Sequence, residues 1–289
     1  MSDDAAGREP WSNLVRPPLS QRALRAALVR AGGWRGLEVV ESTVSTNADL
    51  AERARAGEPE GLVRVAELQT GGRGRLGRGW VSPPRTGITV SVLLRPRVPS
   101  AAWGWLPLLT GLAVVRAVRQ TCGLPATLKW PNDVLVPGHG GTAEQGSPGE
   151  PGSRKLAGIL VEVPAPGAAV VGIGLNVSTA RDELPVPTAT SLLLEGSATH
   201  DRDTVLRAVL RALRSAYDGW QDDPVPVRAA YREACETLGR RVTVSLPDGT
   251  ALEGDATGVD DDGRLLVWDG VRETAVGAGD VVHLRPGGG

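Results

Sequence analysis

Residues 69–86 read QTGGRGRLGRGWVSPPRT, and no other stretch restricts the fold as much. Gly72-Arg73-Gly74-Arg75-Leu76-Gly77 satisfies the pattern G-x-G-x-x-G behind an alternating apolar stretch, 62–68. That pattern serves a dinucleotide only when it opens a helix whose N-terminus receives the pyrophosphate. Pro83 and Pro84 stand where the helix would run, and proline removes a backbone donor and clashes with the preceding turn. A dinucleotide-binding α/β fold is therefore excluded. What remains is a glycine-rich loop with Arg73, Arg75 and Arg78 closely spaced, whose amides and guanidinium groups suit a carboxylate or phosphate. A solvated, arginine-rich surface loop is the plain alternative. Half of residues 70–79 are glycine, so the loop cannot hold itself closed by packing and is expected to order on a ligand.

The surrounding pattern is α+β. Helical spacing occurs at 20–31, 46–56, about 100–121, 203–220 and 224–238, and strand patterning at 37–41, 62–68, 87–95, 126–130, 154–163 and 168–177. From residue 239 the turn signals PDG, DDDG and DG separate short strands, as in a small β-barrel. Three parts are expected: 1–35, a loose N-terminus and first helix; 36–238, the main domain; and 239–289, the barrel. Residues 137–153 contain nine Gly or Pro and are expected to form an unpacked hairpin tip.

The 289 residues carry 32 basic and 33 acidic side chains, and the 239–289 segment carries five basic against nine acidic. Neither balance supplies a footprint for DNA or an anionic membrane. The apolar run 101–115 contains Pro107 and is expected to be too short to span a bilayer. Asp3 and Asp4, with no apolar segment behind them, argue against a signal peptide. Two cysteines, Cys122 and Cys235, are expected to be reduced thiols, so a soluble cytoplasmic protein is expected.

The rare residues carry the chemistry. Of the basic residues only Lys129 and Lys155 are lysine, and asparagine occurs only at 13, 47, 132 and 176. In a chain that otherwise uses arginine, a lysine points to a place for a compact ammonium where a planar fork does not serve. The three histidines, 139, 200 and 283, are scattered, which leaves a His-dependent nucleophile or metal site without support. Chemistry is left to Lys, Arg, Asn, Gln and carboxylates, a set suited to stabilising charge on phosphoryl or acyl-phosphate species. Each short motif also has an ordinary reading: Ser45-Thr46-Asn47 as a helix cap, Pro131-Asn132-Asp133 as a turn, and G-x-G-x-N at 172–176 as a closely packed strand.

In this order, STN, AELQTGGRGRLGRGW, KWPNDVLV, RKLAGILVE and GIGLNV closely resemble the biotin protein ligases. The likeness covers roughly residues 36–286. It implies a mixed-sheet catalytic domain of the biotin/lipoate protein ligase type with a C-terminal SH3-like β-barrel. It also implies a monofunctional member, because the 35 residues before Gly36 are too few for the helix-turn-helix domain of the bifunctional members. The insertion at 137–153 is longer than the short hairpin usual there.

The implied reaction has two steps: biotin and ATP, with Mg²⁺, give biotinyl-5′-AMP, and a lysine of a biotin carboxyl carrier domain then takes the biotin. The resemblance assigns Lys155 and Arg75 to catalysis, with Lys155 bridging the biotin carboxylate and the α-phosphate. It assigns biotin to Ser45, Thr46, Asn47, Gln69, Gly72, Arg73, Gly74, Arg75, Trp80, Lys155, Gly158 and Gly172. The nucleotide falls to Lys129, Asn132, Asn176 and Arg285, and Asp133 is a metal candidate. A lipoate–protein ligase of the same fold and a non-enzymatic biotin sensor are the alternatives.

Overall fold

Two sheets divide the chain near residue 239, where the turn signals take over. The computed structural model describes residues 16–138, 152–246, 249–277 and 279–283; Arg285 and residues 139–151 of the insertion lie outside them.

Helix α1 (Gln21–Arg25) starts on Ser20, whose hydroxyl accepts from the Ala23 N–H at 3.3 Å, and continues as a π turn, Ala26–Arg30. Strand β1 (Gly36–Val40) follows, then α2 (Thr46–Arg55), β2 (Leu62–Ala66) and β3 (Gly87–Leu94). The core helix α3 (Trp105–Ala117) precedes β4 (Thr127–Lys129), β5 (Asp133–Pro137), β6 (Ser153–Ala165) and β7 (Ala168–Asn176). Helices α4 (Arg202–Asp222) and α5 (Pro224–Ala234) close the larger unit. Asp201 caps α4 by accepting from the Thr204 N–H, and Asp223 caps α5 ahead of Pro224 in the first turn, a position proline tolerates. The second unit holds β8 (Arg241–Ser245), β9 (Ala251–Val259), β10 (Leu265–Trp268), β11 (Glu273–Val276) and β12 (Asp280–His283).

The first sheet has strand order β1-β2-β3-β7-β6-β5-β4, with β1 and β2 parallel and all other neighbours antiparallel. The second is antiparallel, in the order β11-β10-β9-β8-β12. This is the α+β architecture expected. The strand Asp133–Pro137 is not among the expected elements, and α5 ends at Ala234, four residues early. There Cys235 leaves the helix to bridge Leu128 of β4.

Side-chain alternation splits the large sheet into two chemical faces. Ile88, Val90 and Val92 of β3, Val171, Ile173 and Leu175 of β7, and Ala157 and Ile159 of β6 point to one side. They join α3 and α4 in a single buried core. The intervening residues Ser91, Gly172, Gly174, Asn176 and Gly158 face the other way, and that face holds the site described below. Beside it, Leu50 and Ala54 of α2 pack on Leu93, Ala168 and Val170 in a smaller cluster.

Ser100–Cys122 is helical throughout, as a 3₁₀ turn, α3 and a π turn, and its 23 residues are long and apolar enough to cross a bilayer. The length expected from 101–115 is thus corrected. Burial decides its role: Leu106, Leu109, Ala113 and Val114 are fully inside the protein core. Both cysteines are free and buried, and burial pushes the Cys122 thiol up to about 11.

With no phenylalanine in the chain, tryptophan does the large packing and also joins the units. Trp105 stacks edge-on against Tyr231 at 5.6 Å, and its Nε1–H donates to Asp260 O at 3.1 Å. Trp130 Nε1–H donates to Gly263 O at 3.2 Å. Both acceptors lie in the DDDG turn, where Asp260 Oδ1 accepts from the Asp262 and Arg264 N–H groups. The second sheet is thereby pinned to the first, with β12 beside the polar face.

Candidate active site

A cavity of about 800 Å³ opens on the polar face of the large sheet. Its floor is made of glycines because bulkier residues have no room. A Cβ on Gly172 would collide with Asn47 Oδ1, and one on Gly174 would stand 2.6 Å from Nε1 and Cζ2 of Trp80. A Cβ on Gly158 would meet both Lys155 and Trp80 at 3.3 Å.

At one end Ser45, Thr46 and Asn47 open α2, all nearly buried. The Ser45 hydroxyl caps the helix, as the ordinary reading required. The next two residues do more than cap. Thr46 N–H donates to Gln69 Oε1 at 2.8 Å, and its hydroxyl lies 3.0 Å from the same oxygen and 2.7 Å from Ser91 Oγ. Ser91 donates to Asn47 Oδ1 at 2.6 Å, while Asn47 Nδ2 donates to Glu162 at 2.7 Å. Thr46, Gln69, Ser91 and Asn47 thus supply neutral donors and acceptors to a polar pocket on this face of the sheet, backed by the Glu162 carboxylate.

The glycine-rich loop covers this floor. Trp80 N–H donates to Gly72 O at 2.9 Å and Gly74 N–H to Arg78 O at 2.6 Å, so the loop is a small hairpin. The Trp80 ring lies over the glycines with Lys155 Nζ 6.0 Å from its centre. Its buried Nε1–H has no partner among the described residues, and an unused buried donor is uncommon in proteins. Arg75 reaches Gly279 O at 3.2 Å and Asn132 Oδ1 at 3.4 Å, and Arg78 pairs with both oxygens of Asp280 at 2.7 and 2.8 Å. The loop thus has tethers on the second sheet that nothing in its own sequence announces. Burial lowers the Arg75 pKa, against the opposing charges of Asp280 and Asp133. Arg73 also lines the cavity.

At the other end Lys129, Asn132 and Asn176 line the cavity. Asn132 Nδ2 donates to Ile159 O and Asn176 Nδ2 to Thr190 O, both at 2.9 Å. Lys155 lies at the junction of the two halves, its Nζ 2.6 Å from Asp133 Oδ1. The segment Thr188–Thr190 holds its backbone: Lys155 N–H donates to Thr188 O at 2.7 Å, and Thr190 N–H to Lys155 O at 2.8 Å. Asp133 therefore stands in the site as the partner of Lys155. Among the described residues no three His, Cys, Asp or Glu side chains are grouped to hold a metal ion.

All the candidate residues within the described segments thus gather around one cavity, apart from Gly72, whose carbonyl accepts from the Trp80 N–H but which does not line it. Sequence reasoning missed Ser91, Gly174, Glu162, the wall at Pro185–Ala189, and Asp280 of β12. Glycine at 174 and serine at 91, on a mostly apolar strand, were the available signals. The wall and Asp280 carry none, because each reaches the site by tertiary contact alone.

Residues 37–178 match the biotin/lipoate A/B protein ligase family, and residues 237–284 the biotin protein ligase C-terminal domain. The biotin–[acetyl-CoA-carboxylase] ligase of Mycobacterium tuberculosis is 46% identical over 277 residues, 94% of this chain and 98% of that one. The chain belongs to the biotin protein ligase family. The bifunctional ligase/repressor BirA of Bacillus subtilis is 31% identical over 272 residues, 91% of this chain and 79% of BirA. Among solved structures, the biotin protein ligase of Aquifex aeolicus in complex with biotin and ATP superposes with a TM-score of 0.69 at 27% identity, covering 87% of this chain and all of that one. The two matched regions meet at the cavity: residues 37–178 supply its glycine floor, and β12, within 237–284, supplies one wall.

Proposed function

We propose that this cavity joins biotin to ATP and passes the biotinyl group to a lysine of a biotin carboxyl carrier domain. One observation carries the reading: the Lys155 ammonium, paired with Asp133 at 2.6 Å, stands between a glycine-floored polar pocket and an end lined by Lys129, Asn132 and Asn176. Relatives named as biotin–[acetyl-CoA-carboxylase] ligases support the choice of substrates.

In the first step a carboxylate oxygen of biotin attacks the α-phosphorus, the bond to the bridging oxygen breaks, and pyrophosphate leaves. Two anions must meet, and Lys155 offsets their repulsion as a point charge small enough to touch both. Asp133 releases the ammonium as the substrates bind. Ser45, Thr46, Asn47 and Gln69 hold the ureido ring of biotin, with the glycines at 158 and 172 admitting it against the sheet. Arg73, Gly72, Gly74, Arg75 and Trp80 cover it and keep water from the anhydride. Lys129, Asn132 and Asn176 hold the nucleotide. In the second step the amine of the carrier lysine attacks the anhydride carbonyl, loses a proton, and AMP leaves.

For Mg²⁺ the donor set fits an ion carried in on the ATP phosphates and does not fit a resident cage: among the described residues the cavity is lined by two carboxylates, Asp133 and Asp280, and Asp280 is paired with Arg78. Such an ion would neutralise charge on the phosphates.

Incubation with biotin, ATP and an apo carrier domain tests the reading by mass spectrometry of the carrier. The expected result is one biotinyl group on one lysine, with release of pyrophosphate and AMP. No modification, or modification by lipoate in preference to biotin, overturns it.

A further inference from the structure

The polar end of the cavity is short of hydrogens. Thr46 Oγ1 lies 3.0 Å from Gln69 Oε1 and 2.7 Å from Ser91 Oγ, and Ser91 Oγ lies 2.6 Å from Asn47 Oδ1. These are three oxygen–oxygen contacts, and the two hydroxyls bring two hydrogens to them. Neither amide can supply the third by turning over. Gln69 Oε1 is held in place by the Thr46 backbone N–H at 2.8 Å. Asn47 is held chiefly by Glu162, whose carboxylate takes an Nδ2 hydrogen at 2.7 Å, with Leu160 O a longer acceptor of the same group at 3.4 Å.

A carboxylate can only accept, so beside it the Asn47 amide has one orientation: nitrogen to Glu162, oxygen to Ser91 and the floor at Gly172. We propose that Glu162 is a specificity-determining positioning residue. By locking Asn47 oxygen-first it makes the pocket acceptor-rich, and so selective for a ligand that presents N–H donors to it. Glu162 does not itself line the cavity; it acts through Asn47. Glutamine in its place would keep the shape but could donate as well as accept. Asn47 could then turn over, giving up only the long 3.4 Å contact with Leu160 O, and supply the missing hydrogen from within the protein.

This inference rests on biotin being the ligand, since its ureido ring carries two N–H groups. An isosteric analogue with both ureido nitrogens replaced by oxygen keeps the shape and offers only acceptors. Calorimetry with biotin and with this analogue gives a ratio of dissociation constants for each protein. The unmodified chain is expected to prefer biotin strongly. Glu162→Gln is expected to weaken biotin about tenfold, the scale of one well-made hydrogen bond, and to shrink the ratio by a similar factor, with the KM for ATP unmoved. Ser91→Ala removes a hydroxyl without freeing Asn47, so it is expected to weaken biotin and keep the ratio.

A Glu162→Gln protein with the original ratio overturns the proposal, whatever happens to its biotin affinity, because a merely structural role weakens both ligands alike. If Glu162→Gln fails to fold, a fall in the ratio for Ser91→Ala overturns it instead, as does absence of preference in the unmodified chain. Failure of the unmodified chain to bind biotin at all is a different result: it removes the functional reading on which the inference rests.

Discussion

Gly172 and Gly174 stand two residues apart on one face of β7, and the same added methyl has different consequences at each. At Gly172 it would collide with Asn47 Oδ1 and stand 3.0 Å from Cγ and 3.2 Å from Nδ2. Ordinary carbon contacts begin near 3.5 Å, so the amide must retreat by about 1 Å. It has nowhere to go, being buried and held by Ser91 at 2.6 Å and Glu162 at 2.7 Å. The retreat stretches both bonds beyond useful length; losing one neutral and one charged hydrogen bond costs about 3 kcal/mol together. For a protein of this size that is a fall in Tm of about 5 °C.

At Gly174 the methyl would instead meet Trp80, which sits on the glycine-rich loop and can move with it. What it gives up in the folded state is chiefly the contact with Lys155, worth about 1 kcal/mol or less. Gly172→Ala is therefore expected to melt several degrees lower than Gly174→Ala, while both lose biotin affinity. Differential scanning calorimetry of the two proteins, paired with biotin titrations, decides the matter. Equal melting temperatures would refute the claim that Asn47 is fixed and Trp80 is not. Undiminished biotin binding by Gly174→Ala would remove Trp80 from the pocket.

Three further outcomes are expected. Lys155→Arg keeps the charge but cannot place a fork where a point charge fits, so most adenylate formation is lost; near-normal pyrophosphate release would contradict this. Arg75→Ala removes the loop's hold on Gly279 and Asn132, so biotinyl-AMP should dissociate faster and loop amides should lose protection from hydrogen exchange, and unchanged values of both would reduce the loop to a surface arginine cluster. The hydrogen bond from Arg16 holds the Glu183 carboxyl below the usual carboxylate range, and the Ala180 N–H adds to this. Because the folded value is the depressed one, its stabilisation is present above the unfolded value of about 4.3 and fades as the pH falls through the lower folded value. Glu183→Gln should therefore be less stable than the parent at pH 7, and the two should converge in acid, as followed by urea unfolding at pH 7 and pH 3.

Local chemistry was legible in the chain itself. Ser45, Asp201 and Asp223 are helix caps by residue type, and DDDG at 260–263 is a turn because only a few residues tolerate such backbones. The alternation of β7, apolar at 171, 173 and 175 and small or polar at 172, 174 and 176, already separates a core face from a face that must meet something polar. Pro83 and Pro84, just beyond Gly79, exclude the dinucleotide fold by residue type alone. The rarity of lysine and asparagine marked Lys129, Lys155, Asn47, Asn132 and Asn176, and the structure brings all five to one cavity.

Other features depend on distance through space and not along the chain. Ser100–Cys122 passes by length and composition for a membrane span, and only the sheet and helices packed around it make it a core helix. Glu162 reads as an ordinary solvent-facing strand residue until Asn47, 115 residues away, donates to it. Arg78 and Asp280 are two surface charges until the second sheet docks and sets them 2.7 Å apart across 202 residues. A sequence records which groups a residue offers and the periodicity that gives each a face. The partner of each group is chosen when the sheets stack, because electrostatic and hydrogen-bond energies depend on separations of a few ångströms that no local pattern encodes.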